Sequence, residues 1–143
     1  MVATRPRHSV SAIAVIVDQI GRVLLQRRRD NGAWEPPGGV LELGERILDG
    51  LVREVREETG IDVEPVTLTG VYKSMTHAVI EMVFCCRAIG GDLRTSDEST
   101  DFLWADQELV AALTTEAFTA RIRDSLSYDG RVAIREHDGF RLV

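Results

Sequence analysis

Apolar residues at Ile47, Leu48, Leu51, Val52 and Val55 recur with the period of a helix. The spacing predicts one helix over residues 46–59, with Gly60 following where a left-handed closing residue is wanted. Elsewhere the apolar positions run together. Residues 9–17 (SVSAIAVIV) are β-branched and apolar enough for a buried strand, and residues 22–28 and 79–88 read as two more. Residues 62–71 are mixed and predict a strand with Pro65 at an edge or irregular point. Phe102-Leu103-Trp104 is a short strand. Asp106 is placed to cap a helix running through Leu113, and Thr115 one through Leu126. Polar stretches separate these runs: a turn over 18–21, a loop over 30–37 with Asn31-Gly32 in it, and a loop over 93–100. Asp138-Gly139 predicts a terminal hairpin within 131–143, and residues 1–7 read as a loose end.

Strands, an amphipathic helix, strands again and then helices predict an α/β (α+β) fold, with a mixed sheet packed between helices. With 143 residues and no linker or repeat, the chain is expected to be one domain over 1–143. A hydrophobic content of 44% and a charged content of 28% are those of a globular protein. The net charge of −6 argues against a general nucleic-acid or membrane-surface binder, which would carry a basic patch. It leaves a phosphorylated ligand open, because a bound cation reverses the local sign. The chain lacks the ~20-residue apolar run of a membrane helix and a leader pattern, so the expected location is cytoplasmic. Cys85 and Cys86 are neighbours in a strand and point to opposite faces, which suits two small strand residues and not a metal pair. His8, His77 and His137 have no ligand spacing and are expected to be surface or locally hydrogen-bonded residues.

The candidate chemistry lies on the predicted helix. Glu54, Glu57 and Glu58 stand side by side on a stripe bordering the apolar one. Three adjacent carboxylates repel one another, and a divalent cation reverses the sign of that cost. Oxygen ligands suit Mg²⁺ or Mn²⁺, which in turn neutralise substrate phosphates. Gly50 falls on the same side in mid-helix at a cost of about 1 kcal/mol against alanine, as if something must approach closely. Arg27, Arg28 and Arg29 end the second strand and are candidates for a phosphate clamp, with Arg28 slightly preferred to Arg27. Trp34-Glu35-Pro36-Pro37 leads directly into Gly38-Gly39, a stiff approach to two permissive residues.

Gly39, Glu45, Arg53, Glu54, Val55, Glu57, Glu58, Gly60 and Ile61 together resemble the Nudix box, with all nine fixed positions filled over twenty-three residues. The resemblance is sharp over 39–61 and loose elsewhere. It implies an α/β/α sandwich around a mixed sheet, and a metal-dependent hydrolase of nucleoside diphosphates linked to another moiety. Attack would come from a metal-activated water. It further implies Glu54, Glu58 and often Glu57 as Mg²⁺ ligands (Mn²⁺ as a substitute), with the backbone carbonyl of Gly38 beside them. Arg53 is expected to hold a carboxylate in place, with Glu45 the candidate. The general base is a box carboxylate or a later loop acid. Here Glu98 is the loop candidate and Asp97 its alternative. Arg28 or Arg27 would reach the phosphates, and Trp34 would lie near a base or sugar or else cover the core edge.

Two substrate classes remain open: a nucleoside diphosphate sugar such as ADP-ribose, and a (deoxy)nucleoside triphosphate. The proline expected about fifteen residues past Gly60 in the ADP-ribose branch is absent, and Val40 replaces the basic residue of triphosphate-cleaving members. A non-catalytic nucleotide-binding module ranks below the enzyme, because every box carboxylate is present. The expected partner is a small nucleotide, without membrane or general nucleic-acid binding. A homodimer is left open.

Overall fold

The computed structural model describes residues 5–143, so the first part of the expected loose end lies outside the described residues. Eleven elements follow one another: β1 (Ser9–Ile16), β2 (Val23–Arg28), β3 (Trp34–Glu35), β4 (Gly38–Val40), α1 (Ile47–Thr59), β5 (Ile61–Ser74), β6 (Val79–Gly91), β7 (Ser99–Ala105), α2 (Gln107–Leu113), α3 (Glu116–Leu126) and β8 (Ala133–His137). A five-stranded mixed sheet has the order β4-β1-β6-β5-β8, and a three-stranded antiparallel sheet the order β3-β2-β7.

Strand β1 is central because both its faces are apolar. Ala12, Ala14 and Ile16 join Leu24, Leu51 and Val55 in a core beneath α1. Ile13 and Val15 point the other way and join Val23, Leu25, Val110 and Ile122 in a second core beneath α2 and α3. Two buried faces require a continuous apolar run, which is what residues 9–17 supply. The result is an α/β/α sandwich around mixed sheet, as the order of elements predicts. Among the described residues, no helix is long and apolar enough to cross a membrane.

Helix α1 begins one residue after the expected start and ends on Gly60 at φ +80°. Asp106 and Thr115 cap α2 and α3 through their side-chain oxygens.

Four features differ from the sequence expectation. Gly38–Val40 is a strand, paired antiparallel with β1, and Trp34–Glu35 pairs with β2 inside the expected loop. Strands β5 and β6 run on to Ser74 and Gly91 because they pair as one long hairpin whose bulges absorb Pro65. The tail forms no full hairpin: β8 adds in parallel to β5, and only a single bridge, His137 to Leu142, closes around Asp138-Gly139. His137 is not at the surface: it is 4% exposed and lies against Arg121 Nη2 at 2.9 Å, while the expected local hydrogen bond is made by the Gly139 N–H at 3.0 Å.

Candidate active site

A cavity of about 520 Å³ opens where the front of α1 meets the edges of both sheets. Glu54 and Glu58 enter it from the helix, Gly38 and Gly39 from β4, Gln26 and Arg28 from β2, and Asp97 and Glu98 from the loop before β7. Glu54, Glu58 and Glu98 each bring a carboxylate oxygen to within 4.8 Å of the other two.

Glu57 stands outside this group. On a helix each residue turns about 100°, so Glu58 lies on one side of Glu54 and Glu57 on the other. The Glu57 side chain is 61% exposed and accepts from Arg53 Nη1 at 3.2 Å.

Each carboxylate is set by a different device. Glu58 is buried, and its Oε2 accepts from Gln26 Nε2 at 2.8 Å and from the Gly38 N–H at 3.0 Å. Burial pushes the Glu58 carboxyl well above the carboxylate range, and these two donors only partly oppose that. Burial also raises Glu54, while Arg53 pulls it back down. A Cβ on Gly39 would lie 2.5 Å from the Glu54 carboxylate, so the second glycine of the pair makes room for that side chain. Glu98 is carried by a loop tied down through its neighbours. Ser96 Oγ accepts from the Glu98 and Ser99 N–H groups, both at 3.1 Å, and the Arg29 N–H donates to the Glu98 carbonyl at 2.9 Å. Ser99 Oγ donates to the Glu58 carbonyl at 2.6 Å, joining that loop to α1.

Arg53 grips Glu45 with two arms, Nη2 at 2.7 Å and Nε at 2.8 Å, while its Nη1 reaches Glu54 at 3.0 Å. These hydrogen bonds hold the Glu45 carboxyl down to about 2. The close approach at Gly50 comes from the protein itself. A Cβ there would lie 2.7 Å from Glu45 Oε1 and 2.6 Å from Leu41 Cδ2.

The arginines separate. Arg28 and Arg29 line the cavity, and Arg28 is tethered to Asp30 at 2.6 Å and to Glu35 at 3.3 Å. Arg27 points to the other face of β2, where it lies over the Trp34 ring at 5.9 Å and donates to the Gly32 carbonyl at 3.1 Å. Neither Arg27 nor Trp34 lines the cavity.

Gln26 and Glu35 are site residues that motif reading passes over. A signal for Gln26 exists: it interrupts the apolar run of β2 two residues before Arg28 and so shares its face. Glu35 is opposite Gln26 in the β2–β3 ladder. Burial pushes its carboxyl up to about 7, against the pull of Arg28 and with help from the Glu81 charge. Beyond Arg28 and Glu35 lies a second cavity of about 350 Å³, lined also by Glu81, His77, Phe118 and Phe140.

Hard oxygen ligands, close enough to repel and free of thiol or imidazole, make a donor set suited to Mg²⁺ or Mn²⁺. Buried Gln26 Oε1 has no partner, the sole buried side-chain atom so placed among the described residues, which marks the surroundings of Glu58 as set by something besides packing.

Known proteins resemble this chain in sequence and in fold. The sequence model of the NUDIX domain matches residues 7–126. A MutT-like protein of Streptomyces ambofaciens is 48% identical over 96% of this chain and 89% of its own length. An ADP-ribose pyrophosphatase of Methanocaldococcus jannaschii is 35% identical over 66% of this chain and 60% of its own. The crystal structure of an ADP-ribose pyrophosphatase from Streptococcus suis superposes with a TM-score of 0.74 at 22% identity, covering 92% of this chain and all of that one, and shows the same fold.

Proposed function

The chain belongs to the Nudix hydrolase family and is a pyrophosphohydrolase of that type, and from this premise we propose that it hydrolyses the phosphoanhydride of a nucleoside diphosphate joined to another moiety, with Mg²⁺ as its working cation. The observation that carries the reading is the meeting of three carboxylate oxygens within 4.8 Å in a cavity whose rim holds Arg28 and Arg29.

With the Glu98 carboxylate beside them, Glu54 and Glu58 would hold the cation. When bound, it neutralises phosphate charge and lowers the pKa of water. The remaining work falls to the chain. Arg28 and Arg29 present guanidinium groups to the phosphates, where fork geometry matches paired oxygens. Glu98, on the solvent side of the cluster, accepts one proton as the water oxygen bonds to phosphorus and the bridging P–O bond breaks. The displaced phosphate oxygen leaves with the electron pair. Arg53 and Glu45 touch no substrate and lock the helix face that carries Glu54. The second cavity lies on the far side of Arg28 and Glu35, placed to take the nucleoside or the group attached to it. No role is assigned to Arg27, Trp34 or Glu57 beyond their contacts with neighbours. The cytoplasm is the compartment this chemistry fits, with the chain acting alone or as a homodimer.

The test is a product assay with Mg²⁺ over nucleoside diphosphate sugars, including ADP-ribose, and (deoxy)nucleoside triphosphates. Phosphate and pyrophosphate are counted with and without alkaline phosphatase, and the Glu58→Gln protein runs alongside. Turnover of one class, lost in the variant, is the expected result. No turnover of any class with Mg²⁺ or Mn²⁺, while nucleotide still binds to both proteins, would replace the enzyme with a binding module.

A further inference from the structure

Gln26 is a polar residue where β2 is otherwise core. It is 3% exposed and follows Val23, Leu24 and Leu25, all of which are fully buried. Among the described residues its amide has one partner only, Glu58 Oε2, at 2.8 Å. The amide oxygen is enclosed and accepts nothing. Its cross-strand neighbour Glu35 is no donor to it, being engaged with Arg28 at 3.3 Å. Turning the amide over would set its oxygen against Glu58 Oε2, which already accepts from the Gly38 N–H, so the orientation follows from an acceptor as partner. A buried acceptor left unmet is costly, and an apolar side chain of the same size would avoid that cost. Fold stability therefore gives no reason for a glutamine here.

The geometry at Glu58 gives one. Gln26 and the Gly38 N–H both donate to Oε2, and the described residues offer Oε1 no N–H. The carboxylate is thereby held by Oε2, Oε1 is left without an N–H donor, and Glu58 also brings a carboxylate oxygen to the cluster with Glu54 and Glu98. Gly38 supplies its N–H from the short strand β4, while Gln26 reaches Glu58 from the other sheet. Two donors from two directions fix the plane of a carboxylate, where one would leave it free to swing.

We infer that Gln26 is a positioning residue: it holds Glu58 by Oε2 so that Oε1 is presented to the divalent cation. The inference rests on the cation site proposed above and adds to it a residue outside the box. It implies an uncommon pairing of effects. Removing the amide weakens cation binding but leaves the fold as stable as before or more so, because loss of the bond to Glu58 Oε2, which keeps the Gly38 N–H, is offset by loss of the unmet acceptor.

The experiment uses the whole chain. Mn²⁺ binding is followed by the loss of the free-ion EPR signal in the wild type, Gln26→Met, Gln26→Leu and Glu58→Gln. Urea midpoints are measured in parallel in the presence of a chelator. For both apolar variants the expected result is Mn²⁺ affinity about 10–100-fold below the wild type, the usual effect of losing a residue that orients a ligand. Their urea midpoints should equal or exceed the wild-type value. Affinity within twofold of the wild type in a folded apolar variant would overturn the inference and leave the cation site intact. Lower midpoints in both variants would make Gln26 a structural residue and also overturn it. A wild type that binds no Mn²⁺ would overturn this inference and the cation reading together, and Glu58→Gln separates specific from incidental binding.

Discussion

Alanine at position 50 sets two physical arguments against each other. In a helix interior, glycine to alanine gains about 1 kcal/mol. Gly50 lies within α1, so propensity alone predicts a more stable protein. The packing predicts the opposite. The added Cβ would lie 2.6 Å from Leu41 Cδ2, 2.7 Å from Glu45 Oε1 and 2.9 Å from Glu45 Cδ, all too close to persist. Leu41 meets the Cβ with the far end of a flexible, partly buried side chain. Glu45 is held in place, because its carboxylate accepts from Arg53 Nη2 at 2.7 Å, from Arg53 Nε at 2.8 Å and from the Glu42 N–H at 2.7 Å. Overpacking costs about 1–3 kcal/mol, and loosening charge-assisted hydrogen bonds about 1.5–3 kcal/mol more where they are broken outright. The Glu45 side chain keeps 15% of its exposure and can retain part of its bonding, so the lower half of that combined range applies. After the propensity gain is subtracted, Gly50→Ala should be less stable by about 1.5–3 kcal/mol. Urea unfolding at pH 7 with an unchanged m value measures this directly. In a Glu45→Ala background the obstacle is gone, and the same substitution should cost less or turn stabilising, with a coupling of about 0.5–3 kcal/mol between the sites. A single Gly50→Ala protein stabilised by the full helix gain would refute the packing argument.

Further outcomes follow from the same geometry. Arg53→Lys keeps the charge but loses the planar fork that spans Glu45 and Glu54, so turnover should fall about 10–100-fold with the fold retained; a lysine variant within twofold of the wild type would remove Arg53 from the positioning scheme. Glu35 has its carboxyl raised from the ordinary 4.5 to about 7 by burial, so the stability it contributes is complete below pH 4.5 and is lost as pH rises through 7. Wild-type stability should therefore drop relative to Glu35→Gln between pH 5 and pH 8, and urea titrations giving a constant difference would contradict this. Arg121 is 1% exposed, pairs with Glu81 at 2.9 Å and packs on the Tyr72 and Phe118 rings. Arg121→Met should cost about 3–5 kcal/mol by stranding Glu81, and the double Arg121→Met, Glu81→Met change should restore part of it. Equal loss in single and double variants, read from thermal melts, would show that the pair itself is not the cause.

Much of α1 was legible because its information is local. Apolar spacing, Gly60 and the three glutamates all act within a few turns of chain, and the structure returns the helix nearly residue for residue. The pairing of Arg53 with Glu45 was also within reach, eight residues apart across the loop. Long-range pairings were not. Gly38-Gly39-Val40 has poor strand propensity and becomes a strand only because β1 offers it a ladder. Parallel β8 depends on β5, some sixty residues earlier, and no turn residue announces it. His137 reads as a surface or locally hydrogen-bonded residue; the local bond to the Gly139 N–H is there, but its burial depends on α3 bringing Arg121 against it. Within the site, helical spacing groups Glu54, Glu57 and Glu58, but proximity on a helix surface is not convergence on a point. The third carboxylate of the cluster comes from the loop holding Glu98, and Gln26 from a strand in the other sheet.

The box is thus portable as a string but not as a site. A graft of residues 38–61 onto a foreign scaffold would carry the helix, the Arg53–Glu45 clamp and the glycine seat of Glu54. It would leave behind Gln26, Glu98 and the Ser99 link to the Glu58 carbonyl, all of which belong to the β3-β2-β7 sheet or the loop that enters it. A designer moving this chemistry must transplant two pieces distant in sequence and preserve the angle between them. In this fold that angle is kept by β1, whose faces pack beneath α1 on one side and beneath α2 and α3 on the other.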